Sequence, residues 1–210
     1  MSGQGSAPSG RSAADKVPKT ARGERTSQLL LDAAAEEFGE KGFHEASISR
    51  ITQRAGVAIG SFYTYFDSKE QVFTALVRYL SQQVKTFVAP RLAGHIDHIA
   101  AERAAQLAFL EFARAHKEIY RIIDEAEFVS PASYREHYAQ GADRISARLN
   151  AAYERGEISD GDSEIRAWAI MGVNVFLGMR FGVWDDTADA AEVARVGGDF
   201  LAFGLSPRRA

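Results

Sequence analysis

The sequence of 210 residues contains no cysteine, which excludes a disulfide scaffold and thiolate metal sites. Its N-terminal segment has no apolar stretch of the kind found in secretory signals. No uninterrupted apolar run reaches the ~18 residues that a membrane span requires, because the longest one, residues 168–184, is interrupted by Asn174 and Arg180. These absences predict a cytoplasmic protein without a membrane partner.

Motifs for catalysis are missing as well. The sequence has no P-loop and no glycine-rich turn after a strand, and it has no cysteine nucleophile. His95 and His98 flank Asp97, but a histidine pair in a segment between helices is more simply explained as solvated than as a metal site. The sequence therefore predicts that the protein is not an enzyme and has no cofactor and no metal site.

What the sequence does contain is helical periodicity. Apolar residues recur three and four positions apart, Pro131 is placed to open a helix, and Gly156 is placed to end it. No alternation typical of strands appears. We therefore predict an all-α fold of about nine helices, with periodic segments at residues 29–42, 47–55, 59–66, 68–87, 100–115, 117–129, 131–153, 163–184 and 192–205.

The most informative segment is residues 46–73, ASISRITQRAGVAIGSFYTYFDSKEQVF. Two short amphipathic helices flank Gly56, which can adopt the positive φ found at many helix ends. Ser47 is placed to cap the first helix, and Phe62 and Phe66 share one apolar face of the second. This pattern is typical of a helix-turn-helix, whose second helix enters the major groove of DNA.

The outer face of that second helix remains free for the duplex. Hydroxyl groups can donate to phosphates or bases, an apolar side chain can meet a thymine methyl, and a glycine allows close approach of the backbone. We expect Tyr63 and Tyr65 at phosphates, with Lys69 at the DNA backbone beside the groove. We expect Ser61, Thr64 and Ile59 nearest the bases. The predicted DNA-binding residues are Ser47, Ala58, Ile59, Gly60, Ser61, Tyr63, Thr64, Tyr65 and Lys69.

The distribution of charge agrees with this prediction although the formal net charge is −3. Within residues 46–66 the only charged side chains are Arg50 and Arg54, which can face solvent or phosphate. Residues 1–22 are rich in Gly, Ser, Pro and Ala with scattered basic groups, a composition that predicts disorder. This basic tail is either inert or an arm for the minor groove. We predict a tail at residues 1–22, a helix-turn-helix domain at 23–70 and a second domain at 71–206.

The helix-turn-helix segment resembles the TetR family of one-component transcriptional regulators. Ala58 departs from the family pattern, in which serine is usual, so one capping or phosphate contact is lost. The resemblance covers about residues 25–80 and implies three small DNA-binding helices followed by six larger ones. The matching positions are Ala46, Ile51, Ala55, Gly56, Val57, Gly60, Phe62, Tyr63, Tyr65, Phe66, Lys69 and Glu70.

The two last helices are apolar almost all round. A glycine inside a helix costs about 1 kcal/mol relative to alanine, so the glycines of residues 163–184 indicate close packing against another helix. The family resemblance implies a four-helix bundle across a two-fold axis, although an intramolecular core remains the alternative. The resulting prediction is a homodimer whose interface includes Gly172, Gly178, Gly182, Val193, Val196 and Phe200.

Aromatic and methionine residues gather in the middle helices. Each one alone is best explained by core packing, but the resemblance implies that together they line an apolar inducer cavity. Asn174 and Arg180 are further polar groups that could hold a ligand head, and a salt bridge is the preferred role of Arg180. The predicted lining comprises Phe109, Phe112, Tyr120, Ile123, Glu127, Phe128, Tyr134, Tyr138, Trp168, Met171, Val175 and Met179.

Residues 176–180 also resemble regulators of acyl-CoA or aromatic-acid catabolism, which implies that the small apolar effector is an acyl-CoA or an aromatic acid, with a long apolar part and a CoA or carboxylate head. Three functions remain open from the sequence. The preferred one is a repressor released from double-stranded operator DNA by this effector, with helix 68–87 as the lever. The others are a ligand-independent regulator or activator, and an all-α enzyme or lipid carrier that has lost DNA binding.

Overall fold

A computed structural model describes residue 18 and residues 20–93 and 97–205, with side chains up to residue 202. This part of the chain forms nine α-helices and contains no strand, which confirms the all-α prediction. A 3₁₀ turn, Ala89–Leu92, follows α4, and a π-helical turn, Met179–Trp184, continues α8. The helices are α1 (Ala21–Glu45), α2 (Ile48–Arg54), α3 (Ile59–Tyr65), α4 (Lys69–Val88), α5 (His98–Ala115), α6 (Glu118–Val129), α7 (Pro131–Glu154), α8 (Ser163–Gly178) and α9 (Ala190–Leu205).

Side-chain caps set several helix starts. Thr20 accepts a hydrogen bond from the Gly23 N–H at 3.1 Å, and Ser68, Asp97 and Asp162 act in the same way at the starts of α4, α5 and α8. The cap at Thr20 places the first turn of α1 inside the segment predicted as a tail. Residues 1–17 and 19, where most of the predicted tail falls, lie outside the described residues.

One apolar core joins α1–α4 to the helices behind them. Phe38, Phe62 and Phe73 are fully buried in it, and the rings of Phe38 and Phe73 meet edge to face at 5.0 Å. Ile122 of α6 belongs to the same cluster. The packing therefore has no break at residue 70, and the division into domains at 23–70 and 71–206 stays a prediction.

A second core holds α7 against α8 and includes Ile145, Leu149 and Ile170. The combined helix Ser163–Trp184 is long and apolar enough to cross a membrane by length and composition, although only 28% of its most apolar window is buried in the chain. Asn174 and Arg180 thus interrupt the apolar run without ending the helix, which was predicted over residues 163–184, and without excluding it as a membrane span by length and composition. A single helix of this kind is weak evidence for a membrane span, because a helix at a protein interface meets the same criteria.

Candidate nucleic-acid interface and effector cavity

The turn between α2 and α3 has the geometry of a helix-turn-helix. Ser47 accepts a hydrogen bond from the Arg50 N–H at 3.3 Å, and Gly56 has φ +66°. Fully buried Ile51 and Phe62 hold the two helices on the core. At the start of α3 there is no side-chain cap bond from Ala58, as expected where alanine replaces a hydroxyl residue.

The predicted DNA-reading face of α3 lies at the surface. Ile59 and Tyr63 are 53% and 49% exposed, Gly60 and Thr64 are exposed, and Ser61 is half-buried. A Cβ at Gly60 would meet nothing within 4 Å, so the backbone there is open to an approaching molecule. The half-buried Tyr65 packs partly against the core. The structure thus brings these side chains to one surface, and their contact with DNA stays a prediction.

Lys69 occupies a position different from the one expected. Its ammonium group donates to the carbonyl oxygens of Phe43 at 2.7 Å, His44 at 3.1 Å and Ala46 at 3.1 Å, and it lies 4.6 Å from the centroid of the Phe43 ring. Three carbonyl acceptors match the three donors of an ammonium group. This geometry favours a structural role for Lys69 over the predicted phosphate contact. The side chain ties α4 to the C-terminal end of α1.

We expect Lys69→Met to lower the free energy of unfolding by about 1–3 kcal/mol, because charged hydrogen bonds to the end of α1 are lost. The dependence of operator affinity on salt should stay unchanged. The matched control is Arg50→Met on exposed Arg50 of α2, which should reduce the salt slope by about 0.9 if it meets a phosphate. Urea unfolding and salt titration of operator binding measure both effects. A reduced salt slope with unaltered stability in Lys69→Met would restore the phosphate assignment.

Arg54, which was expected to face solvent or phosphate, forms ion pairs with acidic side chains of α1. Its guanidinium donates to Glu36 at 3.2 Å, to Glu37 at 3.0 Å and to Glu40 at 2.5 Å. The hydrogen bond from Arg54 holds the pKa of Glu40 below its usual value. Because Glu37 is fully buried, this cluster fixes α2 on α1. Both arginines expected to face solvent or phosphate are exposed, but only Arg54 forms ion pairs within the described residues.

A cavity of about 160 Å³ lies between α4, α5, α6, α7 and α8. Half of the predicted lining residues contribute to it. Val175 also receives a hydrogen bond, since the Tyr120 hydroxyl donates to its carbonyl oxygen at 2.9 Å. The predicted residues that do line the cavity are Phe109, Tyr120, Ile123, Tyr138, Met171 and Val175.

The other six predicted lining residues lie elsewhere. Phe112 and Tyr134 belong to the core shared with α1–α4, because their helices turn those faces toward the DNA-binding end. Phe128 is 83% exposed and Trp168 is 46% exposed. Glu127 is exposed, and Met179 falls in the π-helical turn outside the lining.

Several lining residues were not predicted. Helix α4 contributes Ser81, Val84, Lys85 and Val88, and α7 contributes a polar group of side chains. The signal for α7 was present in the spacing of three and four between His137, Tyr138, Gly141, Arg144, Ile145 and Arg148, but the mixture of charge and small residues resembles a solvated face. Asn174, expected as a polar group near the ligand, does line the cavity.

The protonation of the lining follows from burial. Burial lowers the pKa of His137 to about 4, with a smaller effect of nearby Arg144, so the ring is neutral at pH 7 and its Nδ1 lies 2.6 Å from the Ser81 Oγ. Burial raises the pKa of Tyr138 to about 12 and that of Tyr120 as well. Both phenols therefore remain protonated donors. Arg180 is outside this lining.

Two of the predicted interface glycines face the interior of the chain. A Cβ at Gly178 would collide with the Tyr120 hydroxyl and lie 2.9 Å from Phe109, and one at Gly182 would lie 3.2 Å from Ala113. Their small size serves close packing within one chain, which corrects the prediction for both. Arg180 forms a salt bridge with Asp185 of the same chain at 3.3 Å.

The remaining predicted interface residues lie on an open apolar face. Gly172 has nothing within 4 Å of a Cβ position, Val193 is half-buried, and Val196 and Phe200 are 53% and 69% exposed. Helix α8 adds three exposed apolar residues that were not predicted for the interface. They are Ile165, Trp168 and Phe176, spaced three and eight positions apart. The exposed apolar side chains of α8 and α9 form an apolar stripe that consists of Ile165, Trp168, Phe176, Val196 and Phe200.

A helix-turn-helix whose reading face is exposed, held on a helical body that encloses a cavity, defines a one-component DNA-binding regulator. Comparisons with known proteins agree, because residues 30–76 match the family described as bacterial regulatory proteins, tetR family. Residues 30–76 thus form a DNA-binding domain of the TetR type, and the chain is a DNA-binding transcriptional regulator.

Relatives extend the similarity beyond the matched segment. The chain is 28% identical over 198 residues to the uncharacterised HTH-type transcriptional regulator YdgC of Bacillus subtilis, covering 89% of this chain and 96% of YdgC. It is 34% identical over 109 residues to the transcriptional activator FasR of Mycolicibacterium smegmatis, covering 52% of this chain and 49% of FasR. Similarity to transcriptional regulators over most of the chain agrees with the regulator class.

Solved structures share the whole fold. FadR of Bacillus subtilis, in complex with stearoyl-CoA, superposes with a TM-score of 0.75 at 18% identity, over 85% of this chain and 98% of FadR. GusR of Salmonella enterica gives a TM-score of 0.74 at 21% identity, over 90% of this chain and 98% of GusR. At this level of identity the similarity establishes the fold.

Proposed function

We propose that the protein is a homodimeric repressor that leaves its operator when a small ligand occupies the cavity. The observation that carries this proposal is that the same helices form the cavity wall and hold the DNA-binding helices. A ligand in the cavity therefore contacts elements that also determine where α3 lies. A ligand shifts such an equilibrium only if it binds one arrangement better than the other.

Helix α6 presents two faces with different contacts. One face supplies Tyr120 and Ile123 to the cavity. On the other, Arg121 donates to the carbonyl oxygens of Gly39 at 3.2 Å and Glu40 at 3.0 Å. A displacement of α6 by a ligand would therefore move the end of α1, against which α2 is fixed.

Helices α6 and α1 are in close contact. The Phe43 N–H donates to the Glu125 carboxylate at 2.7 Å. Gly42 has φ +76°, and a Cβ there would lie 2.5 Å from Glu125 and 2.6 Å from Arg121. The positive φ requires glycine here, and the hydrogen bonds from α1 to Glu125 and from Arg121 to α1 hold the two helices together.

Helix α4 provides a second connection, as the sequence predicted for helix 68–87. It starts at Lys69, beside the turn after α1, and its later turns carry Ser81, Val84 and Val88 to the cavity. A rigid helix transmits a displacement from one end to the other. Helices α4 and α6 would therefore both transmit a displacement from the ligand cavity to the DNA-binding helices.

An exposed apolar surface supports the homodimeric part of the proposal. The apolar stripe on α8 and α9 exposes large side chains side by side, a pattern that marks protein interfaces. A second copy would cover it across a two-fold axis. The resulting dimer would hold two α3 helices for two half-sites one DNA turn apart.

The test of the proposal is Val175→Trp, which replaces a small lining residue with a bulky one and should fill much of a cavity of about 160 Å³. We expect the operator affinity of the variant to be close to that of the wild type. The release of operator by ligand, and the rise in melting temperature that ligand binding gives, should both disappear. Fluorescence anisotropy of labelled operator and thermal melts measure these two quantities.

The control is Tyr153→Trp, at a half-exposed position of α7 outside both the lining and the apolar stripe, which should keep the ligand response. If Val175→Trp still releases operator with ligand, the cavity is not the effector site. An operator-driven reporter gives the sign of regulation, and we expect its expression to rise when the gene is deleted.

A further inference from the structure

The cavity lining combines apolar side chains with three cations and the carboxylate of Asp124. Tyr120, Ile123 and Val175 form part of the apolar lining, whereas Lys85, Arg144 and Arg148 are the cations. Arg148 is neutralised, because its guanidinium binds the buried Glu102 carboxylate at 2.8 and 3.1 Å. The exposed Lys85 is solvated. Arg144 is thus the lining cation whose charge is neither paired nor in open water.

Arg144 is half-buried, and the described residues give its guanidinium no hydrogen bond and no ion pair. Burial and the charge of Arg148 both lower the pKa of Arg144, but a guanidinium remains charged at neutral pH. Removing such a charge from water without a counter-ion is unfavourable. An anion that enters the cavity would restore the missing partner and could bind in a bidentate manner.

Asn174 is a second polar group without a partner in the same cavity. Its Oδ1 is buried and has no hydrogen-bond partner. Because the two ends of a carboxamide exchange by rotation, Asn174 can offer either an acceptor or a donor to a ligand. Unpaired buried groups cost free energy, so two such groups in one lining indicate a ligand that supplies polar atoms.

The volume of the cavity limits the apolar part of this ligand. A dry cavity of about 150 Å³ is large enough for one benzene molecule, and the cavity here is about 160 Å³. A single ring or a short alkyl chain fills this space, and a longer chain would have to extend through the open side of the cavity. The neighbouring FadR structure holds stearoyl-CoA, so the two proteins would differ in effector size.

We propose that the effector is a small monocarboxylic acid, with one ring or a short alkyl chain, whose carboxylate pairs with Arg144. This inference rests on the proposed function, since it names the class of ligand for the same cavity. The apolar part lies against Tyr120, Ile123 and Val175. His137 is neutral and adds no charge, and the carboxylate of Asp124 is on α6, whereas Arg144 is on α7.

The experiment compares acids with their neutral counterparts on the full-length protein. Benzoate, phenylacetate and octanoate are tested against benzamide, phenylacetamide and octanamide, with octanoyl-CoA and stearoyl-CoA as a third group. We expect at least one acid to raise the melting temperature and to weaken operator binding tenfold or more. Its amide should need at least a thirtyfold higher concentration for the same effect.

Arg144→Gln should lose the response to the acid at least tenfold while its operator affinity stays unchanged. Its melting temperature without ligand should be equal or higher, because an unpaired charge has been removed, and a merely structural arginine would give the opposite result. Arg144→Lys should retain part of the response. The matched control is Arg135→Gln on the same helix, at an exposed position, which should respond like the wild type.

Two outcomes overturn the inference and leave the proposed function standing. One is operator release by an amide or an acyl-CoA as effective as by the acids, and the other is an unchanged acid response in Arg144→Gln. If none of the acids shifts the melting temperature, the inference is also wrong. The proposed function fails separately, if a compound that releases the operator from the wild type releases it equally well from Val175→Trp.

Discussion

Phe176→Glu should convert the protein from a dimer to a monomer. Phe176 is 67% exposed in the apolar stripe of α8, and a second copy would bury a carboxylate at this position without a partner, which is strongly unfavourable. Operator affinity should fall by about 10²–10⁴-fold, because bivalent binding is lost with the dimer. Light scattering gives the mass in solution, and an anisotropy titration gives the affinity.

The control for this prediction is Phe128→Glu, the same substitution at a phenylalanine that is 83% exposed on α6, outside the apolar stripe. This variant should remain dimeric and bind operator normally. A dimeric Phe176→Glu protein, or an equal effect of both substitutions, would place the subunit interface elsewhere on the surface.

Gly60→Leu should abolish most operator binding without destabilising the protein. The Cβ position of Gly60 is open, with nothing within 4 Å, and leucine is preferred over glycine in a helix by about 0.5–1 kcal/mol. The new side chain would stand between α3 and the duplex, where glycine permits close approach. We expect a loss of affinity of at least about tenfold, or 1.4 kcal/mol, together with equal or higher thermal stability.

The control is Gly56→Leu, for which we expect the opposite effect on stability. Gly56 has φ +66°, a conformation that costs a residue with a side chain about 1–2 kcal/mol, so this variant should lose stability. If Gly60→Leu binds operator as tightly as the wild type, α3 does not approach DNA through its first turn.

The helices could be predicted from sequence because their signals are local. Caps such as Ser47 and Ser68, and breaks such as Gly56 and Gly156, depend on neighbours within one turn. The helix-turn-helix could be predicted for the same reason, since its residues lie close together in the chain. The reading face of α3 follows directly from the alternation of buried Phe62 with exposed Tyr63.

The cavity was only half predicted because its lining depends on contacts between distant helices. Periodicity assigns a residue to a face of its helix, but it does not show which helix that face meets. Phe109 and Phe112 lie three positions apart on α5, yet Phe109 lines the cavity and Phe112 belongs to the core shared with α1–α4. Arg144 was missed because a charged residue on a helix is normally solvated.

Lys69 and the glycines of α8 illustrate the same limit for specific roles. The sequence places a cation at the start of α4, but its three carbonyl partners lie on a turn more than 20 residues away in the chain. Gly178 and Gly182 signalled close packing correctly. The neighbours they accommodate, however, are α5 and α6 of the same chain rather than a second subunit.

The continuous core between the DNA-binding helices and the body restricts how the protein can be recombined. A hybrid regulator joined at residue 70 would replace one member of the pair Phe38 and Phe73, whose rings meet at 5.0 Å, and would leave Ile122 against a foreign surface. A junction that preserves function must therefore exchange α6 and the first turns of α4 together with the DNA-binding helices. For biosensor engineering, the transferable unit of this protein is defined by its packing and not by a position in its sequence.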